Sequence, residues 1–160
     1  GIAQTGIFFR RVNADGERIG EESVVSESYC EGWPCSSDPS MAWTGSEFVI
    51  TYRCQQTDYG GALCFTRLDR DGRNVTGDVI LSPFSNDTEK SVALAWTGAV
   101  VGFAWNEYSQ YGLQWSNYIH FKTIYPTGED ATSEIILGEN VIGIRPQLTW
   151  TGSEYGVVWY

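Results

Sequence analysis

Basic residues are scarce in this sequence: ten Lys and Arg stand against twenty Asp and Glu, and there is one His. The formal net charge of −10 repels nucleic-acid phosphates and anionic lipid surfaces, so it argues against both as partners. No apolar run approaches the roughly 20 residues of a membrane-spanning helix, and no basic-then-apolar leader is present. We therefore expect no membrane insertion, and an export signal that was removed or never included.

Helical periodicity is also absent, whereas one short motif occurs three times. "AWTGSEFVITY" at 42–52 returns as "AWTGAVVGFAW" at 95–105 and as "TWTGSEYGVVWY" at 149–160. The shared tryptophans lie 53 and 54 residues apart, at Trp43, Trp96 and Trp150. A second series of glycines, each 56 residues from the next and each preceded by Phe seven residues earlier, comprises Gly16, Gly72 and Gly128. The whole chain is therefore built from one repeated unit.

Each unit predicts four short strands, here called A, B, C and D. In the first complete unit they are 40–44, 48–53, 63–68 and 78–82, rich in β-branched and aromatic residues and separated by glycine-bearing turns. Four strands in about fifty residues, with Trp in the innermost strand, are typical of a β-propeller blade. We predict an all-β, single-domain β-propeller over 1–160. Its units are 39–82, 92–138, and 1–26 together with 145–160.

The two chain ends carry complementary halves of a unit. The chain opens with strands C and D at 7–12 and 23–26, and it closes with A and B at 147–151 and 155–160. The chain thus contains three four-stranded blade equivalents, whereas propellers have about four to eight blades. Our hypothesis is a homodimer that forms a six-bladed ring. A closed three-bladed monomer and a fragment of a longer propeller are the alternatives.

The repeat resembles the tandem bacterial extracellular β-propeller repeats built on W-T-G-S-E-[YF], a strand, and then R-L-D-x-D-G. The residues that carry the resemblance are "WTGSEFVITY", "FTRLDRDG" and "VILS" in the first complete unit. The second unit departs from the pattern, with "AVV" in place of "SEF" and "YPTG" in place of "DRDG". The resemblance implies the propeller fold and leaves the function open, because propellers host unrelated activities.

Strand alternation places the A–B and C–D turns at one end of each unit and the B–C and D–A connections at the other. The second end varies in length between units, so we expect the binding site there. The "DRDG" turn at 69–72 has the start of a calcium loop, yet "YPTG" at 125–128 replaces it without charged ligands. We predict a hairpin turn at this position, and no metal or other cofactor.

All four cysteines fall at the variable end. Cys54 ends strand B and Cys64 begins strand C, while Cys30 and Cys35 bracket "EGWP". We predict two local disulfides; a four-thiolate zinc site is the alternative, but the paired C-x-x-C spacing is missing. Disulfides imply an oxidising compartment, hence a secreted, periplasmic or extracellular protein. Sequons begin at Asn74 and Asn86.

A catalytic signature is missing. His120 lies on strand C and is interpreted as a packed strand residue. The carboxylates Glu31, Asp38 and Glu107 are available at the variable end, but sequence spacing does not show their separation. No S-x-D-x-G-x-x-W box of sialidase-like propellers occurs. We predict a protein that is not an enzyme, with a glycosidase-like activity as the least favoured alternative.

Aromatic residues outside the repeat register predict the binding face. They are Tyr29, Trp33, Tyr108, Tyr111 and Trp115, accompanied by the polar residues Asp38, Asn106, Glu107, Gln110, Gln114 and Asn117. Flat rings beside amides and carboxylates suit a sugar, whose C–H faces stack while its hydroxyls hydrogen-bond. The predicted function is lectin-like carbohydrate binding, and a protein-interaction or scaffold role is the runner-up. The same rings are also consistent with loops that bury their own aromatics or with a subunit contact.

Overall fold

The computed structural model describes residues 5–28, 36–57, 60–85, 91–111, 114–139 and 145–160. Within these ranges the chain forms twelve β-strands and no helix, which confirms the predicted all-β class. No helix able to cross a membrane occurs in the described part of the chain. The strands are β1 (Thr5–Val12), β2 (Arg18–Ser28), β3 (Ser36–Trp43), β4 (Glu47–Thr57), β5 (Gly60–Asp69), β6 (Val79–Ser85), β7 (Val92–Trp96), β8 (Val101–Tyr111), β9 (Gln114–Ile124), β10 (Ile135–Glu139), β11 (Gln147–Trp150) and β12 (Tyr155–Val158).

The described strands form four antiparallel sheets that follow the chain order. Two sheets have four strands each, β3-β4-β5-β6 and β7-β8-β9-β10, and two have two strands each, β1-β2 and β11-β12. The predicted A, B, C and D strands of a unit are therefore neighbours in one sheet, and the two chain ends are hairpins. Strands B and C are longer than predicted, because β4 and β5 continue their pairing to Thr57 and Gly60.

The repeated Thr-Gly pair makes the same turn three times. Thr44 N–H donates to Glu47 O at 2.9 Å, and Glu47 N–H donates to the Thr44 hydroxyl at 3.0 Å. The following glycine has φ = 102°, a left-handed conformation that glycine adopts without a Cβ penalty. The same backbone hydrogen bond is made by Thr97 with Val100 and by Thr151 with Glu154. This turn explains why the Thr-Gly pair recurs unchanged between strands A and B.

The 69–72 segment is a hairpin turn, as the sequence predicts. Gly72 N–H donates to Asp69 O at 3.0 Å, and the Asp69 carboxylate accepts the N–H groups of Asp71 and Arg73 at 2.8 and 2.9 Å. The Arg73 N–H holds the pKa of Asp69 below its ordinary value. In the second unit Gly128 N–H donates to Tyr125 O in the same way, without a carboxylate.

The core lies between successive sheets. One buried cluster joins Ile7, Phe9 and Val25 of the first hairpin to the β3–β6 sheet, and a second joins that sheet to the β7–β10 sheet. In the first cluster Tyr52 is fully buried and its hydroxyl donates to Asp78. Burial raises the pKa of Tyr52 well above its ordinary value, so the phenol stays neutral.

Neighbouring sheets meet through their first strands. β7 lies against both β3 and β11, and β3 lies against β1 and β2. The last hairpin packs on the β7–β10 sheet through Tyr155, whose ring contacts Phe121 at 4.9 Å between centroids. The four sheets therefore pack in chain order, each on the next.

A disulfide joins β4 to β5 at the variable end, which confirms one of the two predicted pairs. Cys54 and Cys64 are bonded, with 5.7 Å between their Cα atoms. Cys30 and Cys35 lie outside the described residues. Because a disulfide restricts the unfolded chain, closing this ten-residue separation stabilises the fold by about 2–3 kcal/mol in the loop-entropy account.

We expect the double variant Cys54→Ser/Cys64→Ser to lose about 2–3 kcal/mol of unfolding free energy, measured by urea titration. Equal unfolding midpoints for this variant and the native chain would contradict the stabilising role.

Intact mass under nonreducing conditions gives the number of disulfide bonds. We expect about 4 Da below the reduced mass when both predicted pairs are closed, and about 2 Da when one is closed.

Candidate functional site

The segment that carries most of the predicted site residues is a β-hairpin extension. The sequence suggests that "NEYSQYGLQWSN" belongs to a B–C loop, but β8 and β9 pair without a register shift from Val101 opposite Ile124 to Tyr111 opposite Gln114. Only 112–113 separate the two strands. The aromatic residues Tyr108, Tyr111 and Trp115 lie three and four residues apart rather than in strict alternation, so the local sequence gives no strand signal for the extension.

The ladder register divides the site positions between two faces. Residues directly opposite each other, and residues two apart along a strand, belong to one face. Tyr108 lies opposite Asn117 and Gln110 lies opposite Trp115, so these four positions share a face. The other face contains Glu107, Tyr111 and Gln114. We call the first four positions the aromatic–amide face.

Asn106 is a structural residue in this fold, although the sequence placed it among the ligand contacts. It is 1% exposed, and its side-chain oxygen accepts the Ser91 N–H at 2.8 Å. Asn106 N–H in turn donates to Ser91 O at 3.3 Å. The side chain thus fixes the segment that enters β7. Sequence alone could not show this, because Ser91 lies 15 residues away.

Asn117 differs from Asn106 in its hydrogen bonding. Its side-chain oxygen is buried, and no hydrogen-bond donor to it occurs in the described part of the chain. An acceptor without a donor is unfavourable when buried, and an atom closed to solvent is not open to a ligand hydroxyl in this arrangement. Asn117 belongs to the aromatic–amide face, opposite Tyr108.

The remaining predicted site residues are dispersed. Glu107 is partly buried on the other face of the hairpin, opposite Tyr118 in the ladder. Asp38 is exposed on β3 with φ = 54°, inside the register shift between Ser37 and Ser40. Trp33 and Tyr29 lie outside the described residues, as do Glu31 and the sequon residue Asn86. No acid pair of a glycosidase can be assigned from the described positions.

His120 is a packed strand residue, as the sequence predicts. Its ring stacks on Trp105 with centroids 5.1 Å apart, and its Nδ1 lies 2.7 Å from Glu134 Oε1. It is 8% exposed. The arrangement holds the ring between Trp105 of β8 and Glu134, which directly precedes β10. Glu134 follows a loop, and nothing in its local sequence indicates this partnership.

Lys122 is a buried cation that sequence reasoning did not identify. Its Nζ lies 2.6 Å from Asp130 Oδ1 and donates to Leu81 O, in the neighbouring sheet, at 3.2 Å. The ammonium also lies 5.6 Å from the centre of the Phe103 ring. A buried ammonium needs such partners, so Lys122 links two sheets and is not a ligand-binding base.

Metal ligands are not grouped in the described part of the chain: no three His, Cys, Asp or Glu residues there are placed to hold an ion. What the structure describes of the candidate site is a set of paired positions on the β8–β9 hairpin. Comparison with known proteins adds no assignment, because no family model, curated protein or solved structure matches this chain.

Proposed function

We propose that the chain is a secreted, non-enzymatic binding module that recognises carbohydrate through the aromatic–amide face of the β8–β9 hairpin. The observation that carries the proposal is the unbroken ladder register, which places Tyr108, Gln110, Trp115 and Asn117 on one face. Two aromatic positions flanked by amides provide stacking area and hydrogen-bonding groups at a spacing set by two strands. The net charge of −10 favours a neutral or cationic ligand over an acidic one.

A rigid support strengthens this interpretation. The hairpin emerges from the β7–β10 sheet, whose strand β7 is buried along most of its length. Asn106 and Ser91 brace the hairpin at its base through reciprocal hydrogen bonds. Recognition by preformed surfaces costs less ordering entropy than recognition by loops, so a braced ladder suits a weakly interacting ligand such as a sugar.

The proposed architecture is a β-propeller whose ring requires two copies of the chain. Four sheets pack in chain order with β3, β7 and β11 as neighbours, which is the relation between the innermost strands of successive blades. The end hairpins supply the A–B half and the C–D half of one further blade. Two copies related by a two-fold axis would then form six blades. Light scattering should give twice the chain mass of 17.8 kDa, and a folded species at 17.8 kDa would contradict the ring.

We expect Trp115→Ala to weaken binding to an immobilised glycan by about tenfold or more, because one stacking ring is removed. Glycan-array screening first selects the glycan, and isothermal titration then measures the affinity. Tyr125→Ala is the matched control, since Tyr125 is an exposed aromatic on the C–D turn at the opposite end. Equal affinities of the native chain and Trp115→Ala would contradict the assigned face, and a lowered unfolding midpoint for Trp115→Ala would identify Trp115 as core.

A protein-interaction or scaffold role is the second candidate, because Tyr and Trp are also enriched at protein interfaces. Absence of binding across the array, together with specific capture of a purified protein that Trp115→Ala abolishes, would favour it. An enzymatic role is the least favoured, and hydrolysis of chromogenic glycosides that disappears in Glu107→Gln would restore it.

A further inference from the structure

The internal repeat gives every residue of the end hairpins an equivalent in the two complete sheets. Val158 lies eight residues after Trp150, and Phe9 lies seven residues before Gly16. Their equivalents are paired in both complete sheets: Thr51 with Phe65, and Ala104 with Phe121. The same ladder therefore exists twice in the chain and is interrupted once, between β12 and β1.

Burial differs sharply at the interrupted ladder. Val12 is 57% exposed, whereas its equivalents Leu68 and Ile124 are fully buried. Val158 is 63% exposed, whereas Thr51 and Ala104 are fully buried. An open groove of about 370 Å³ runs along the β11–β12 hairpin. Its lining residues are Gln147, Leu148, Thr149, Gly156, Val157 and Val158. Apolar positions that are core in complete units are thus uncovered at both ends of the chain.

The face of the β9–β10 hairpin is uncovered in the same way. Leu137 is 37% exposed, whereas its equivalents Leu81 and Val25 are buried under the following sheet. Ile135 beside it is also exposed. Between the two four-stranded sheets, the turn at Gly128 lies over Phe65 and Val79. A Cβ added to Gly128 would lie 3.3 Å from Val79 Cγ1. A hairpin equivalent to β9–β10 is therefore the shape that fits over Ile135 and Leu137, and β1–β2 is such a hairpin.

We infer that β12 of one copy pairs antiparallel with β1 of a second copy, with Val158 opposite Phe9, and that the partner's β1–β2 hairpin covers Ile135 and Leu137. In this register Trp159 lies opposite Phe8, as Trp105 lies opposite His120. Phe8 and Val12 are exposed in the single chain. Once the strands pair, they face Ile135 and Leu137 of the other copy. The inference rests on the proposed two-copy ring and adds its register and contact surface.

A second copy is the occupant because the two uncovered surfaces complement each other within one sequence. The β11–β12 hairpin has the A–B half of a unit, and the β1–β2 hairpin has the C–D half. The cation of Arg10 also fits, since its equivalent Lys122 donates to Leu81 O across the boundary between two sheets. Arg10 of the second copy is placed to donate to Leu137 O in the same manner.

The inferred pairing of β12 with the second copy's β1, here called the joint, borders the proposed ligand face. Gly102 and Phe121 face Tyr155 of the last hairpin, and the ladder alternation places the aromatic–amide face on that same side of β8 and β9. The composite blade would therefore lie on the side of β8 and β9 to which the aromatic–amide positions belong.

Cysteine cross-linking tests the register. The double variant Val157→Cys/Arg10→Cys should form a disulfide-linked species of two chains under mild oxidation, seen by nonreducing electrophoresis and intact mass. The matched control Val157→Cys/Arg11→Cys moves one cysteine to the opposite face of β1 and should remain uncross-linked. A link within one chain, a link in the control alone, or no link in either variant would overturn the inferred joint.

A second variant separates loss of the joint from misfolding. Val158→Glu should reduce the light-scattering mass from two chains to one, because the charge would be buried in the joint. Val24→Glu is the control and should leave the mass unchanged, since Val24 and its equivalents Ile80 and Ile136 are all exposed. A two-chain mass for Val158→Glu would overturn the joint while leaving the homodimer standing. A one-chain mass for the native protein would contradict both the homodimer and the joint. Glycan binding tests the carbohydrate proposal in a separate measurement.

Discussion

Phe65→Ala is expected to lower the unfolding free energy by about 3–5 kcal/mol. Phe65 is fully buried between the two four-stranded sheets, in the cluster that contains Phe103 and Trp105. Removing its ring leaves a cavity that neighbouring strands cannot fill, because both sheets hold their backbones by ladder hydrogen bonds. This loss is a large share of the total for a domain whose stability is about 5–15 kcal/mol. Urea unfolding followed by tryptophan fluorescence measures it.

The matched control is Ile80→Ala, on the strand next to β5. Ile80 is 44% exposed and should cost less than about 1 kcal/mol, because most of its surface is already in water. A loss at Phe65 no larger than that at Ile80 would contradict the packing of the two sheets against each other. Equal m-values for the two variants would show that both expose the same amount of surface on unfolding.

Gly102→Val is expected to cost about 3 kcal/mol and to displace the last hairpin. A Cβ on Gly102 would lie 2.6 Å from Tyr155 Cζ, which is closer than carbon atoms can approach. The Tyr155 ring cannot move aside easily, since Trp150 lies 4.7 Å away and Phe121 4.9 Å away between ring centroids. Thermal unfolding with calorimetry measures the loss.

A compensating change provides the test of the physical reason. At the boundary between the first and second complete sheets, the positions equivalent to Gly102 and Tyr155 are occupied by Val49 and Val101, and both are fully buried. The double variant Gly102→Val/Tyr155→Val copies that pair and should recover most of the stability lost in Gly102→Val. A double variant as unstable as the sum of its single changes would show that the close approach at Gly102 is not the cause.

The strand content and the turns could be predicted from the sequence because they depend on local chemistry. The Thr-Gly turn requires only a hydroxyl acceptor at Thr44 and a left-handed glycine next to it, so it recurs wherever the pair recurs. The hairpin turn at Asp69 likewise closes through its own carboxylate and the next N–H groups. Comparison with Tyr125 in the second unit was enough to predict that this segment is a turn.

The candidate site was predicted less well because contacts in it depend on residues distant in sequence. The aromatic residues of β8 and β9 remain predicted ligand contacts, and their division between two faces required the ladder register. Asn106 was assigned to the ligand and proved to brace Ser91, because a buried amide and an exposed amide look alike in a sequence. Lys122 was not identified, since its partner Leu81 O belongs to another sheet.

By itself, the sequence determined that this protein is built from a repeated four-stranded antiparallel unit with half units at its ends. Alternation, capping hydroxyls and glycine conformations act over a few residues, so every copy of the motif folds alike wherever it stands. Only the tertiary structure decided which copies are covered. Equivalent apolar residues such as Leu81 and Leu137 differ in exposure because one lies under a following hairpin and the other does not, and burial is set by the neighbouring sheet rather than by the residue's own strand.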